Sequence, residues 1–419
     1  TNAISARDPL LAAPSVEDNI SNYVSVYMAG IYNIADKYIF NANGRFDGSN
    51  NFGKDPKYRY LPTFSTAFKW IASDEAFMEK LTDNNIVDFM AVNLSYGLQG
   101  NIKSNAYPSL VTKVNDVDRF GNTNASVVSL GNPGLRWEQT FSYNAGIEFG
   151  LFKRFNFRAD YYKKMGTDLL IEKTVSQVEG RETILLNAGD MINQGIELTL
   201  SGYFVKRKDF TWRSVFTGAR NSNKVTKAYV AEPDLKSQLD GRAVIEGHPL
   251  GIMYAYPFAG LDNSGIPLYY TNDPEKAPER SMNPLNRKLV TVGSINPKLN
   301  GGFDNIFRYK NLTFTASLTY NLGSYRRLPQ FYPGNSATLP NAEQNFSSEY
   351  INRWRKPGDE AFTNIPVLLD ASSALTAITS VYGLTDVALL PDLYNNSDLR
   401  TVRLNYVRVR ALNLNYNIP

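Results

Sequence analysis

The side chains able to do covalent or metal chemistry are few. His248, in Glu246-Gly247-His248-Pro249-Leu250, is the only histidine, and the chain has no cysteine. Zinc is held by Cys, His and carboxylate ligands, so His248 has only carboxylates to join it. A Ser-His-Asp triad is defined by geometry rather than by the presence of its members, and His248 reads as a loop residue. Gly48, Gly97, Gly100 and Gly301-Gly302 do not form a phosphate cradle, because none precedes a helix with the Lys-Ser/Thr or third glycine that such a cradle needs. They read as turn or bulge glycines. With no nucleophile and base standing out, the sequence predicts no enzyme, no metal site and no cofactor.

Binding chemistry is better represented. Asn41, Asn43, Arg45 and Asp47 alternate with apolar residues, and so do Asn144, Glu148, Arg158 and Asp160. In a barrel such a set would face the lumen and contact what passes or fills it, or form a solvated wall whose charges pair with one another, as any large barrel requires. Trp70, Trp137, Tyr161 and Tyr162 would suit stacking on sugar rings. Aromatics at strand ends more often sit at headgroup level in an interfacial girdle, and Trp70 and Trp137 are expected there.

The elements that position these residues follow from period-two alternation over segments of about ten residues. Tyr38, Phe40, Ala42, Gly44 and Phe46 oppose Ile39, Asn41, Asn43, Arg45 and Asp47. Phe141, Tyr143, Ala145, Ile147 and Phe149 oppose Thr140, Ser142, Asn144, Gly146 and Glu148. Phe155, Phe157, Ala159 and Tyr161 oppose Asn156, Arg158, Asp160 and Tyr162. Strands of about ten residues suit a tilted crossing of a bilayer, and they exceed the five or six residues common in soluble sheets.

Connections alternate in length. Ala35-Asp36-Lys37, Lys153-Arg154, Lys206 to Asp209 and Tyr309-Lys310-Asn311 read as tight turns. Long polar stretches run from Asn101 to Arg136, Gly166 to Asp190, Asn223 to His248, Asp262 to Lys298 and Gly323 to Leu399. Short turns on one side and long loops on the other are the asymmetry of outer-membrane barrels, with the short side periplasmic. Ser73 to Met78 predicts a helical turn capped by Ser73. Aromatic stretches such as Tyr325 to Tyr332 and hydroxylated ones such as Ser372 to Leu390 would give the extracellular loops a binding role. The coarse count is about 12–14 strands.

Composition agrees with a β reading. There are 26 Tyr, 23 Phe and 4 Trp, and aromatic residues favour pleated, half-buried surfaces. The mean hydropathy of -0.33 fits a barrel, because lipid-facing and lumen-facing residues average out. The net charge of +4 gives no reason to expect a nucleic-acid partner.

Six segments, in order, resemble one family. Arg45-Phe46-Asp47-Gly48-Ser49 with Phe52-Gly53, Ser95-Tyr96-Gly97 with Gly100-Asn101, and Asn132-Pro133-Gly134-Leu135-Arg136-Trp137-Glu138 are similar to motifs of SusC/RagA-type TonB-dependent outer-membrane transporters. So are Asn193-Gln194-Gly195-Ile196-Glu197-Leu198, Arg353-Trp354 with Pro357-Gly358-Asp359-Glu360 and Ile365-Pro366, and Tyr406-Val407-Arg408-Val409 through Pro419.

Alternation and turn asymmetry indicate an all-β, transmembrane antiparallel barrel, residues 1–22 lack alternation and read as the tail of a preceding loop, and the resemblance implies that residues 23–419 are an incomplete part of that barrel. No N-terminal plug or TonB box is matched, and a plugged barrel takes about 22 strands. The remaining strands are expected elsewhere, since an open sheet edge cannot stand in lipid. The implied function is TonB-dependent import of oligosaccharides or peptides across the bacterial outer membrane, with a SusD-like surface lipoprotein as partner and TonB engaged through a segment not in this chain. The alternative is a structural or porin-like barrel in a larger envelope assembly.

Overall fold

The alternating segments form strands whose two faces differ in chemistry. A computed structural model describes residues 22–49, 60–101, 106–114, 125–176, 178, 183–228, 233–273, 277–278, 288–331, 347–368 and 389–418. In chain order the strands are β1 (Tyr23–Ile34), β2 (Tyr38–Ser49), β3 (Tyr60–Ile71), β4 (Val87–Asn101), β5 (Val111–Val114), β6 (Ala125–Ser129), β7 (Glu138–Leu151), β8 (Phe155–Thr174) and β9 (Thr183–Lys206). There follow β10 (Phe210–Ala228), β11 (Ile252–Ala255), β12 (Phe258–Leu261), β13 (Pro267–Tyr269), β14 (Val290–Ser294), β15 (Leu299–Tyr309), β16 (Leu312–Arg327) and β17 (Thr401–Tyr416).

Eleven of them make one sheet in the order β1-β2-β3-β4-β7-β8-β9-β10-β15-β16-β17. Every neighbouring pair is antiparallel. The sheet is therefore an up-and-down wall with chain order intact. Among the described residues this sheet holds 11 strands beside the 12–14 expected, and the other short strands pair among themselves, β5 with β6, β11 with β14 and β12 with β13. Those pairs belong to the long connections, where alternation alone cannot tell a wall strand from a loop hairpin.

The tight turns lie on one rim. Ala35 and Asp36 have φ of 53° and 55°, and Phe152 and Lys153 have 57° and 50°, the paired left-handed conformation of a two-residue hairpin turn that matches strand twist. The second turn is thus centred on Phe152-Lys153, one residue earlier than expected. The β3–β4 connection shares this rim and holds two short 3-10 turns followed by a helix at Glu79–Asp83. Ser73 does not cap it: its hydroxyl donates to Asp74 Oδ1 at 3.1 Å. Glu75 organises this turn instead, accepting Tyr38 Oη and, at 3.1 Å, Trp70 Nε1. With Lys37 Nζ 3.4 Å away, its carboxyl is held below the usual range, chiefly by the Tyr38 hydroxyl.

Two long loops are shorter than expected. β8 and β9 continue as a paired hairpin to Thr174↔Thr183 past a bulge between Gly166 and Leu169, so the stretch Gly166 to Asp190 is largely strand. β10 similarly runs on to Ala228. The bulge shifts the phase of the alternation, which hides the extension in the sequence. Residues 1–21, Phe52, Gly53, Tyr332, 372–388 and Pro419 lie outside the described residues.

The apolar face carries two aromatic rows. Near the short turns, Phe155, Phe204, Trp212, Phe307 and Phe314 pass from ring to ring at 5.4, 5.1, 5.6 and 6.2 Å across five strands. Farther up, Tyr96 lies 5.4 Å from Phe64 and 4.8 Å from Tyr143. Aromatic residues in rows at both edges of an apolar band are how a strand wall meets two lipid interfaces. Trp70 fits the lower row. Trp137 does not join the girdle: it is buried against Leu61, where the chain enters β7.

On the opposite rim, the connections after β10 and after β16 pack into one small core. Tyr256, Tyr269, Leu239 and Leu393 are buried together, and Phe331 stacks on Tyr350 at 4.6 Å. Two arginines fasten this core to the wall. Arg327, at the end of β16, donates to the carbonyls of Leu239, Tyr254 and Ser397 at 3.0, 2.9 and 3.2 Å. Arg400 is only 4% exposed; it pairs with Glu349, donates to Pro329 O and lies over the Tyr394 ring. Burial pushes the Tyr394 hydroxyl up to about 12.

Candidate functional site: the polar face of the wall

Because paired residues share a face, strand register decides which side chains meet. Asn144 stands opposite Tyr162, Gly146 opposite Asp160 and Glu148 opposite Arg158. Across the next seam Asp160 faces Glu197 and Lys164 faces Asn193. All of these but Glu148 line a recess of about 1040 Å³ that also takes in Asn41, Lys69 and Ser95. Asn43, Arg45 and Asp47 line a second recess of about 660 Å³ nearer the β1 edge. The eight polar residues singled out in the sequence thus share one face but fall into two groups, with Glu148 held behind Arg158.

The charges in the first recess are mutually compensated. Arg158 donates Nε–H to Asp160 Oδ2 at 2.6 Å and Nη2–H to its Oδ1 at 3.1 Å, while Nη1 lies 3.2 Å from Glu148 Oε1. Asn93 donates to the same Glu148 oxygen at 3.3 Å, and Asn144 donates to Ser95 Oγ at 3.0 Å. In the second group Arg45 donates to Asp47 at 2.6 Å, and Ser25 donates to the same carboxylate at 2.7 Å. Arg158, Asp160, Glu148 and Asn144 thus find partners in the plane of the sheet, while Lys69 and Lys164 lie over the rings of Phe89 and Tyr162 at 5.4 and 5.8 Å.

The glycines have a different use. Tyr162 lies over Gly195 and donates to Asn221 Oδ1 at 2.7 Å; a Cβ on Gly195 would stand 2.8 Å from that hydroxyl. Tyr60 crosses Gly48 in the same way, at 2.6 Å, and Trp354 crosses Gly265, at 2.5 Å. Of the two neighbouring tyrosines, only Tyr162 belongs to the polar recess; Tyr161 follows the apolar register.

Other motif residues prove to be structural joints. Asn132 accepts the amide of Gly134 at 3.0 Å and donates to Leu185 O at 3.3 Å, and Pro133 leads into the turn that buries Leu135. Arg136 pairs with Asp168 at the bulge. Glu138 accepts Asn101 Nδ2 and the amide of Leu170, both at 2.8 Å, tying β4 and β8 to the start of β7. Asn193 accepts from Asn223 at 3.1 Å. Tyr96 belongs to the aromatic row, and Gly97 lets β3 approach, since its Cβ would lie 2.9 Å from Phe64 O.

After Pro357, Gly358 has φ 99°. Asp359 then accepts the amides of Arg355 and Lys356 at 3.0 and 3.1 Å, and Glu360 accepts Trp354 Nε1 at 2.9 Å. The Trp354 bond, above all, holds the Glu360 carboxyl below its usual range.

Sequence reasoning missed Lys69 and Lys164 in the recess, and it missed Arg327 and Arg400. Lys164 was available from the alternation that placed Arg158, Asp160 and Tyr162. Lys69 needed the pairing of β3 with β4, and the two arginines needed the packing of distant loops. His248 lies in a loop whose backbone caps β10, its carbonyl accepting the amide of Val225 at 2.9 Å. Among the described residues, no three His, Cys, Asp or Glu side chains converge as a metal would need. No described helix is long and apolar enough to cross a membrane, which says nothing of crossing with strands.

Comparison with known proteins agrees with this architecture. The family described as TonB dependent receptor-like, beta-barrel matches residues 1–357. TonB-dependent receptor P3 of Formosa agariphila is 27% identical over 450 aligned positions, covering 100% of this chain and 41% of that protein. TonB-dependent receptor SusC of Bacteroides thetaiotaomicron is 28% identical over 70% of this chain and 30% of its own length. The chain therefore spans less than half of these relatives. The structure of the RagAB peptide transporter superposes with a TM-score of 0.76 at 21% identity, over 95% of this chain and 41% of that one, and this likeness concerns the fold. The SusC/RagA resemblance stands, and the chain belongs to the TonB-dependent receptor β-barrel family of the outer membrane.

Proposed function

We propose that this wall forms part of the conduit of a TonB-driven importer that takes up oligosaccharides or peptides and works with a SusD-like surface lipoprotein. The observation that carries the reading is the contrast between the two faces. One has aromatic rows and apolar strands suited to lipid; the other has a recess of about 1040 Å³ bordered by Asn, Ser, Tyr, Lys, Arg, Asp and Glu. On this reading the polar face looks into the lumen, where amides and hydroxyls exchange hydrogen bonds with a polar solute or with a plug at little cost. Arg158 holds Glu148 and Asp160 in place, so no strong net charge traps what passes.

The loop core on the long-connection rim would meet solute first and offer a firm seat for the lipoprotein. SusC, the relative from B. thetaiotaomicron, and the RagAB peptide transporter support this assignment. The test is uptake by cells carrying the full-length protein with and without its TonB-binding segment. Loss of accumulation on deletion is the expected result. Uptake that persists would instead identify a passive, porin-like barrel.

A further inference from the structure

The lipid-facing side of β8–β10 carries cations where the apolar band ends. Lys163 follows the register of Phe155, Phe157 and Tyr161 on β8, and Arg220 and Lys224 follow that of Phe216 on β10. The strand between them presents Ile192, Gln194 and Ile196 to the same side, with Gln194 opposite both Lys163 and Ser222, Ile196 opposite Arg220 and Ile192 opposite Lys224. Directly below lie the exposed apolar side chains of Ile196, Leu198, Leu200 and Phe216.

Height places Lys163 and Arg220 at a boundary, with Lys224 four residues above Arg220 on β10. Arg220 stands eleven residues above the turn residue Asp209, roughly 37 Å of strand, or about 28 Å of height at a tilt near 40°, against an apolar band about 25 Å tall. Tyr143 stands opposite Lys163 and Tyr161 lies two residues below it on the same strand, as the upper girdle should. Among the described residues, none of the three cationic side chains has an ion pair or a hydrogen bond. The acids closest in register are engaged elsewhere: Asp190 stands opposite Lys227 and accepts the amide of Asp168 at 3.1 Å, and Glu246 accepts the amide of Ala228 at 3.4 Å.

We propose that Lys163, Arg220 and Lys224, with Gln194 and Ser222 between them, form a binding site for the phosphate-bearing headgroup of an outer-leaflet lipid, whose acyl chains lie on the apolar strip below. Phosphate suits this arrangement because a guanidinium and ammonium groups supply charge-assisted donors, and the amide and hydroxyl add neutral ones. The proposal rests on the assignment of the apolar face to lipid and is independent of what the importer carries.

The test uses the full-length transporter purified from its own outer membrane, with bound lipid counted by native mass spectrometry. The variant Lys163→Gln/Arg220→Gln/Lys224→Gln is compared with Arg207→Gln/Lys208→Gln/Lys310→Gln, which removes as many cations from the short-turn rim. At about fivefold per charge, the first should lose at least tenfold of its phosphate-bearing lipid and the second should keep it. In the unmodified protein, dephosphorylating the lipid should release it, a measurement that needs no variant to fold, and inorganic phosphate should not displace it. Equal retention by both variants overturns the site. So does displacement by inorganic phosphate, which would make it an anion site, and so does loss of a co-purifying protein with lipid retained, which would make it a protein contact.

Discussion

Arg158 binds Asp160, two residues along its own strand, through two hydrogen bonds of 2.6 and 3.1 Å, and this one guanidinium also reaches Glu148 at 3.2 Å. Glu197 faces Asp160 across the β8–β9 seam, where like charges opposite one another repel. Arg158→Met leaves these carboxylates without their cation on a solvated face, where an exposed pair is worth at most about 1 kcal/mol. Folded yield should therefore stay near that of the parent, while uptake of an anionic solute falls several-fold against a neutral one. Parallel uptake assays on both solutes check this.

Gly301 and Gly302 are adjacent on β15 and differ sharply in the space beside them. A Cβ on Gly301 would stand 2.0 Å from Thr217 O and 2.5 Å from the Tyr320 hydroxyl, whereas on Gly302 the nearest atom is Leu318 O at 3.3 Å. Tyr320 also donates to Thr217 O at 2.9 Å, so the ring covers the glycine and ties two strands, as aromatic residues do over sheet glycines. Gly301→Ala should cost about 1–3 kcal/mol and lower the temperature of the heat-modifiable gel shift, with Gly302→Ala costing less. Equal shifts would contradict the packing.

Arg400 is a buried cation shared by Glu349, Pro329 O and the Tyr394 ring. Arg400→Met removes the charge and leaves its partners unsatisfied, a change costing about 3–5 kcal/mol when a buried pair is broken from one side. The expected effect is local: faster hydrogen exchange over 347–368 and 389–400, with the wall strands unchanged. Exchange that rises equally in β8 would show that the loop core and the wall unfold together.

The turn after Pro357 carries a pH dependence. Trp354 Nε1 and the amide of Gly358 donate to Glu360, so the folded carboxyl titrates below its unfolded value. A depressed carboxyl contributes stability above the unfolded pKa and loses it as pH falls through the folded one. Trp354 emission, read with the other three tryptophans changed to Phe, should therefore shift on acidification through and below the ordinary carboxylate range. In Glu360→Gln the shift should be absent.

The legible part of this molecule was what a local period can encode. Alternation placed Asn144, Glu148, Arg158 and Asp160 on one face, and the positions of the tight turns fixed the rim they share. What escaped depends on partners far away in sequence. The reason for Gly48 is Tyr60, for Gly301 it is Tyr320 and for Gly265 it is Trp354, and no window of ten residues contains both members. The bulge between Gly166 and Leu169 broke the period and concealed eight further residues of β8. The loop core was hidden because its buried tyrosines, Tyr256, Tyr269 and Tyr394, come from segments that meet only in the fold.

The account depends on which face of the wall meets lipid and which meets water. Spin labels placed singly from Phe155 to Lys164 in the full-length protein in bilayers measure this directly, by collision with oxygen and with a water-soluble nickel chelate. The account predicts oxygen maxima at 155, 157, 159 and 161 and nickel maxima at 156, 158, 160, 162 and 164. A profile without a two-residue period, or one with the phases reversed, would contradict it.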